Sequence, residues 1–536
     1  MLNIWLPTPV IELAKRYQQA GFELYLVGGA VRDILLAGHT ADTPQTVLAE
    51  FFASTDLDFT TNAKPEKNLE LIPNSFYENT FGTVMVTFAH AAELVGLPES
   101  AYQTLVPVRT ATSERLIDVA KATKLHVSLQ PLPPHDSQSS TAPTSDQPHF
   151  PNLEITTFRT DGTYQDHRRP SEVAWGNSLT EDLERRDFTV NAMAFQLNDL
   201  TSSDLPTNEQ LFQYVEVELL DPHQGLQHFN NQRLVTVGDP ATRFQEDALR
   251  MLRAVRFAVQ LNLQLDPSVL TAIATYHHLL TVISWERIRD EFFKIIASPQ
   301  PMEGIQLLDQ THLLDHILPE LQTGKGVFQG GHHTTDVWTH SLEALAACPS
   351  HDPIVRFATL IHDIGKPATY QEQHGTITFY NHEIVGARMA KVICRRLRLS
   401  KQTLDRIYIL VRQHMFYYQP HNTDASIRRF MRKVGLDNID DILDLREGDR
   451  LGSGARKTSW RLEEMKERMK EQLHQPMEVT DLAVNGTDLM EHLNIMPGPQ
   501  LGKILQELFA LVLENPELNS KETLLEKAKE LWSTNT

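Results

Sequence analysis

Two aspartates separated by one leucine, inside a segment that otherwise reads as a strand, constrain this chain more than any other feature: Ser54-Thr-Asp-Leu-Asp-Phe-Thr-Thr61. In an extended chain, residues i and i+2 point to one face, so Asp56 and Asp58 present their carboxylates together while Leu57 and Phe59 face a core. An isolated Asp-x-Asp more often caps a turn, but Thr60 and Thr61 continue the strand here. Like charges this close repel and raise each other's pKa unless a cation lies between them. All-oxygen donors suit Mg2+, which binds through one or two carboxylates and leaves its other positions to water and substrate phosphates.

The neighbouring segments fit an α+β head with a mixed sheet. "FELYLVGGAVRDILL" (22–36) predicts a strand over Leu24–Val27, a glycine turn and a helix beginning near Val31. Gly28 and Gly29 let backbone N–H groups approach a phosphate at the helix start, and Arg32 adds a charged fork, although Gly-Gly at this place is more often a plain turn. "FGTVMVTF" (81–88) and "LEITTFR" (153–159) read as further strands. If they flank the aspartate strand, Glu154 supplies a third carboxylate; a solvent-facing strand residue is the equal alternative. Between them, 90–127 carries a modest helical pattern, and the Pro-, Ser- and Thr-rich run before Pro151 reads as a flexible surface loop. "RTDGTYQDHRRP" (159–170) reads as a mobile loop. "EDLERRDFTVNAMAF" (181–195) predicts a helix carrying Arg185, Arg186 and Asp187, which on this segment alone is a solvated charged helix start. In "GDPATRFQEDALRMLRAVRFA" (238–258), a spacing of three places Asp247, Arg250, Arg253 and Arg256 along one helix face, with Leu249, Leu252, Val255 and Ala258 towards a core. An ordinary salt-bridged surface would mix its signs; three successive arginines do not.

From about residue 330 the chain turns helical and rich in histidine. His340, the adjacent His362 and Asp363, and Asp449 recur at the places expected of a divalent-metal site in a helical bundle, with His382 and His414 on intervening helices. Any one of these histidines is more often structural. Cys348 and Cys394 lie far apart in helix-like contexts and read as core residues rather than a disulfide or thiolate site. At 536 residues the chain is too long for one core and implies about two to four domains. No apolar run approaches a membrane span and the N-terminus has no basic-then-apolar leader, so a cytoplasmic location is expected. The net charge of −20, from 49 basic and 69 acidic side chains, argues against a nucleic-acid partner unless basic residues cluster.

"LVGGAVRD", "DLDFTT", "RRDFTVNAMA" and "GDPATRFQEDALRMLRAVRFA", in that order, resemble the class II tRNA nucleotidyltransferase and bacterial poly(A) polymerase superfamily, more closely its CCA-adding branch. The resemblance covers about residues 20–300 apart from the insertion; the His340, His362-Asp363 and Asp449 set resembles the HD phosphohydrolase signature, and "DLAVNGTDLMEHLNIMPGPQLGKILQEL" the end of such enzymes. It implies a polymerase β-like head over 1–197 with an insertion at about 90–150, a helical neck and body over 198–325, an all-α HD domain over 326–475 and a helical tail over 476–536. It further implies that Gly29 and Arg32, with Gly28, hold a nucleoside triphosphate, that Asp56 and Asp58 ligate Mg2+ with Glu154 beside them, and that Arg186 and Asp187 contact phosphate and ribose. The resemblance implies as well that Asp247, Arg250, Arg253 and Arg256 complete the nucleotide pocket and that the HD site, His340, His362, Asp363 and Asp449, would take a transition metal or Mg2+. The expected substrates are a tRNA 3′ end, CTP and ATP, with tRNA contacts from basic patches such as "SIRRFMRK" (426–433) and "SGARKTSWR" (453–461). Three alternatives stand beside this: a poly(A) polymerase or an A-adding or CC-adding enzyme; an HD phosphohydrolase acting on RNA ends with the head as an RNA binder; and an RNA-binding module without catalysis.

Overall fold

The computed structural model describes residues 1–77, 82–105, 150–161, 173–176, 178–202, 211–330, 335–416, 418–454 and 459–535. Most of the insertion loop, residues 162–170 of the expected mobile loop and residues 455–458 of the second basic patch lie outside them. The chain forms two compact units, the first ending at Ile317 and the second running from Leu318.

The first unit is built on an eight-stranded mixed sheet. Its strands are β1 (Leu2–Pro7), β2 (Leu24–Val27), β3 (Leu57–Thr61), β4 (Phe76–Tyr77), β5 (Thr83–Val86), β6 (Leu153–Thr157), β9 (Ala194–Ser202) and β10 (Phe212–Leu220); β7 (Arg159–Asp161) and β8 (Val173–Trp175) pair separately. The spatial order is β1-β10-β9-β2-β3-β6-β5-β4, every pairing antiparallel except β3 with β6. All four residues of β2 are buried, and in β3 Leu57 and Phe59 are buried against the head core as the alternation requires. Each such side chain contributes about 1.5–3 kcal/mol on burial.

Four local expectations are corrected. The helix after β2 begins at Gly29 rather than near Val31. The charged helix of 181–195 spans only Leu179–Glu184, capped by the Ser178 hydroxyl. Arg185, Arg186 and Asp187 follow it, because the chain is drawn into extended pairing there: Val237 N–H donates to the Asp187 carbonyl and Thr189 N–H to that of Val235. Residues 238–258 form two helices, Pro240–Glu246 and Leu249–Leu261, with Asp247 in extended backbone between them. Asp239 caps the first of these through Thr242 N–H. The Asp247 side chain accepts from Leu249 N–H at 3.1 Å, satisfying an amide at the start of the second. Leu249, Leu252, Val255 and Ala258 are buried as expected. The segment 159–170 starts in a short hairpin, β7 with β8, rather than in a loop.

The second unit is almost entirely helical. Helices Val337–Ala347 and Ile439–Gly452 pack backbone to backbone: a Cβ at Gly448 would lie 2.8 Å from the Ala344 carbonyl oxygen, and one at Gly452 only 2.5 Å from the Ala344 nitrogen. This close approach carries Asp449 to His340. A separate apolar cluster around Leu489, Leu508, Phe509 and Leu524 holds the C-terminal helices. Among the described residues no helix is long and apolar enough to cross a membrane.

Candidate active site and a second buried cluster

The parallel alignment of β3 with β6 sets Asp58 directly opposite Glu154. Asp56, one step before β3, joins them at the wall of a cleft of about 630 Å3. All twelve residues expected to form the nucleotide site line this cleft: Gly28, Gly29, Arg32, Asp56, Asp58, Glu154, Arg186, Asp187, Asp247, Arg250, Arg253 and Arg256. Arg185 and Arg287 line it too, giving seven arginines against one acidic wall despite the chain's net −20. Burial pushes the Asp58 carboxyl up to about 6, a rise that the Arg186 guanidinium opposes and Asp56 reinforces. A clustered carboxylate set with a strained charge, made only of oxygen donors, fits a hard divalent cation such as Mg2+.

The turn ahead of the helix Gly29–Ala37 is shaped for close approach. Gly28 adopts φ +76°, and a Cβ there would meet Arg186 Nη1 at 3.0 Å and Asp58 Oδ2 at 3.7 Å, so only glycine leaves room for both charged groups. Arg186 is steered from below by Asp182, whose fully buried carboxylate accepts from Arg185 Nη2 (2.5 Å) and Arg186 Nη2 (3.3 Å). Burial alone would raise Asp182; the two guanidiniums hold it below its ordinary range. Arg32 donates to Asn191 Oδ1 (2.6 Å) and pairs with Asp33 (2.7 Å).

The arginine stripe is not a row of lone cations, as its spacing suggested, because acids on other elements meet it. Arg250 pairs with Glu246 at 2.5 Å. Arg253 pairs with the buried Asp187 at 2.6 Å and Arg256 with the buried Glu291 at 2.9 Å. Asp187 also accepts from Phe188 N–H. Burial would raise it, but Arg253 and Arg250 hold it below the usual carboxylate range. Asp187 therefore acts on Arg253. The helix Trp285–Ile296 supplies both Glu291 and Arg287, one turn apart on one face, and Arg287 binds Asp247 at 2.7 Å. Sequence reasoning passed over this pair; the opposite charges four apart in "WERIRDEFF" were the available signal.

In the second unit the six histidine and aspartate positions converge. His340 Nε2 lies 3.2 Å from His362 Nε2, 3.4 Å from Asp363 Oδ2 and 3.3 Å from Asp449 Oδ1. On the other side of Asp363, His382 and His414 approach its Oδ1 at 3.2 and 3.5 Å. His362, His382 and His414 each aim Nδ1 at a backbone carbonyl, of Thr359, Phe379 and Val411, at 2.7–2.8 Å. A proton held on Nδ1 leaves the Nε2 lone pair facing the centre, the tautomer that ligates a metal. Burial would lower His362, yet without a metal Asp363 and Asp449 raise it to about 10, so an ion bound there would displace its Nε2 proton; the same contacts hold both carboxyls well below their usual range. Two triads sharing Asp363, His340–His362–Asp363 and Asp363–His382–His414, have ligand atoms close enough to hold an ion. Mixed imidazole and carboxylate donors suit a transition metal. Lys366 Nζ adds a positive charge 2.6 Å from Asp363 Oδ2.

One expected contact surface is partly committed within the fold. In "SIRRFMRK", Arg428 is buried and donates to the Leu513 and Glu514 carbonyls and to Gln472, closing the C-terminus of helix Pro499–Glu514. Arg429 pairs with Glu514, and Arg432 lies over the Phe509 ring at 4.5 Å. Arg428 therefore serves folding through the tail's own carbonyls, whereas Arg429, Arg432 and Lys433 stay exposed. In the other patch, Arg456 and Lys457 lie outside the described residues.

Residues 24–104 and 134–235 match the family described as "Poly A polymerase head domain", 262–324 "Probable RNA and SrmB- binding site of polymerase A", and 370–528 "tRNA nucleotidyltransferase domain 2 putative". An A-adding tRNA nucleotidyltransferase of Deinococcus radiodurans is 33% identical over 346 residues, 62% of this chain and 74% of that protein. A CCA-adding enzyme of Anoxybacillus flavithermus is 29% identical over 520 residues, 97% of this chain and 95% of that protein. Among solved structures, the CCA-adding enzyme of Bacillus stearothermophilus in complex with CTP shares the fold at a TM-score of 0.61 and 22% identity, covering 99% of both chains. With a head of this topology, its acidic and arginine-lined cleft and these relatives, the chain belongs to the tRNA nucleotidyltransferase and poly(A) polymerase family.

Proposed function

We propose that the chain is a template-independent tRNA nucleotidyltransferase that builds or repairs the 3′-terminal CCA from CTP and ATP, releasing pyrophosphate. The observation that carries this is the cleft itself, where Asp56, Asp58 and Glu154 face seven arginines. Mg2+ held by Asp56 and Asp58 would make the RNA 3′-hydroxyl a better nucleophile and offset charge on the departing pyrophosphate. The guanidiniums of Arg32 and Arg186 bind and orient the triphosphate, and the Gly28–Gly29 turn admits it closely. Asp247 accepts from the exocyclic amino group of C or A, and Arg250 donates to the neighbouring ring acceptor. U and G present a carbonyl and a ring N–H there, so both contacts go unmatched.

Similarity to the A. flavithermus CCA-adding enzyme along 97% of the chain favours full CCA addition over the A-adding activity named for the D. radiodurans relative. Incubation with tRNA lacking its CCA tests the choice. CTP alone should add two residues, and CTP with ATP should complete the end with one A. Long A tails, or A addition restricted to tRNA already ending in CC, overturn the proposal.

The histidine–aspartate cluster supports a second activity, an HD-type metal-dependent phosphohydrolase acting on phosphate esters of RNA ends. His340, His362, Asp363 and Asp449 would hold a divalent transition metal or Mg2+, with His382 and His414 beside it. Metal analysis of the purified protein, together with hydrolysis of 2′,3′-cyclic nucleotides, tests this reading: absence of both bound metal and hydrolysis refutes it.

A further inference from the structure

Asp247 carries base discrimination in the reading above, yet its carboxylate is largely committed before any nucleotide arrives. Oδ1 accepts from Leu249 N–H at 3.1 Å and faces Arg287 Nη1 at 3.4 Å, while Oδ2 accepts from Arg287 Nη2 at 2.7 Å. A carboxylate offers about four lone-pair directions. Three are engaged, and the one left open belongs to Oδ2.

We propose that Arg287 is a specificity-determining positioning residue: by gripping Asp247 through two nitrogens, it fixes the carboxylate plane and leaves one acceptor direction, matched to a single amino N–H of a cytosine or adenine. The inference rests on the nucleotidyltransferase reading of the cleft. Three further observations support it. Asp247 lies in extended backbone between two helices, so its own element does not lock its side chain as a helix interior would. Arg287 comes from a different element, the helix Trp285–Ile296, and lines the same cleft. That helix also anchors the far end of the stripe through Glu291 and Arg256, so the position of Arg287 is itself held by a buried ion pair. A two-nitrogen grip defines a plane; a lysine ammonium, a point charge on a flexible stem, does not.

The test measures kcat/KM separately for CTP, ATP, UTP and GTP on tRNA lacking its CCA, for the wild-type chain and for Arg287→Lys, Arg287→Gln, Asp247→Asn and the Arg287→Gln/Asp247→Asn double variant, each checked by its thermal transition. With Arg287→Lys the preference for CTP over UTP should fall about tenfold or more, through a raised KM for CTP and a smaller change in kcat, and Arg287→Gln should behave similarly. The double variant should lose scarcely more discrimination than Asp247→Asn alone, because Arg287 acts through Asp247. Equal losses with all four nucleotides, or additive effects in the double variant, overturn the proposal and leave Arg287 a structural brace. A wild-type chain that fails to prefer CTP and ATP overturns the functional reading, and this proposal with it; that outcome is seen without any variant.

Discussion

Asp58 is the residue at which the chemistry of the cleft is most strained. Its folded carboxyl titrates near 6 rather than 3.8 because burial outweighs the attraction of Arg186. A carboxyl raised on folding favours the protonated native state, so its contribution to stability is full below the ordinary value and lost as pH rises through about 6. Without metal, Asp58→Asn should therefore raise the melting temperature at pH 7 and leave it nearly unchanged at pH values below 3.8, provided the protein remains folded there. The gain is at most about 3 kcal/mol, less for screening by cleft water. Thermal melts in chelator across this range check the sign, and Mg2+ should recover stability at pH 7 in the wild-type chain alone. Equal destabilisation by Asp58→Asn at both pH values would refute the account. The residue scale also shows what a local motif omits. Asp187, expected to contact phosphate and ribose, lines the cleft and also holds Arg253, and Arg428, in an arginine-rich run, closes a helix.

At the scale of elements, sites are made where two backbones run close. β3 and β6 bring Asp58 and Glu154 into register, and the approach of helices Val337–Ala347 and Ile439–Gly452 delivers Asp449 to the histidines. That approach depends on Gly452, where any side chain would meet the backbone of Ala344. Gly452→Val should cost about 1–3 kcal/mol through overpacking and reduce bound metal in the second unit. Differential scanning calorimetry and metal analysis test this, and a variant with wild-type stability and metal content would refute the packing argument. The helix Trp285–Ile296 plays a comparable part in the head, placing opposite charges one turn apart against the two ends of the arginine stripe.

Over the whole molecule, the two proposed sites fall in separate units, the cleft in the first and the histidine–aspartate cluster in the second. Asp58→Ala should abolish nucleotide incorporation while leaving transition-metal content unchanged, and His362→Ala should lower metal content; loss of bound metal on Asp58→Ala would refute the separation. The sequence by itself determined what depends on neighbours in the chain. Period-two alternation fixed which face of "LDFTT" carries Asp58, the spacing of three marked Leu249, Leu252, Val255 and Ala258 as core, and the order of the motifs marked the polymerase-type head. Only the tertiary structure decided what depends on partners far away in sequence. Glu154 became the neighbour of Asp58 through a parallel pairing across 96 residues, the arginines of the stripe received acids from Asp187 and Glu291, and Arg287 reached Asp247 from a helix 40 residues on. Local pattern fixes where a side chain points along its own element, whereas the charge that meets it is set by packing, which the periodicity of one segment does not encode.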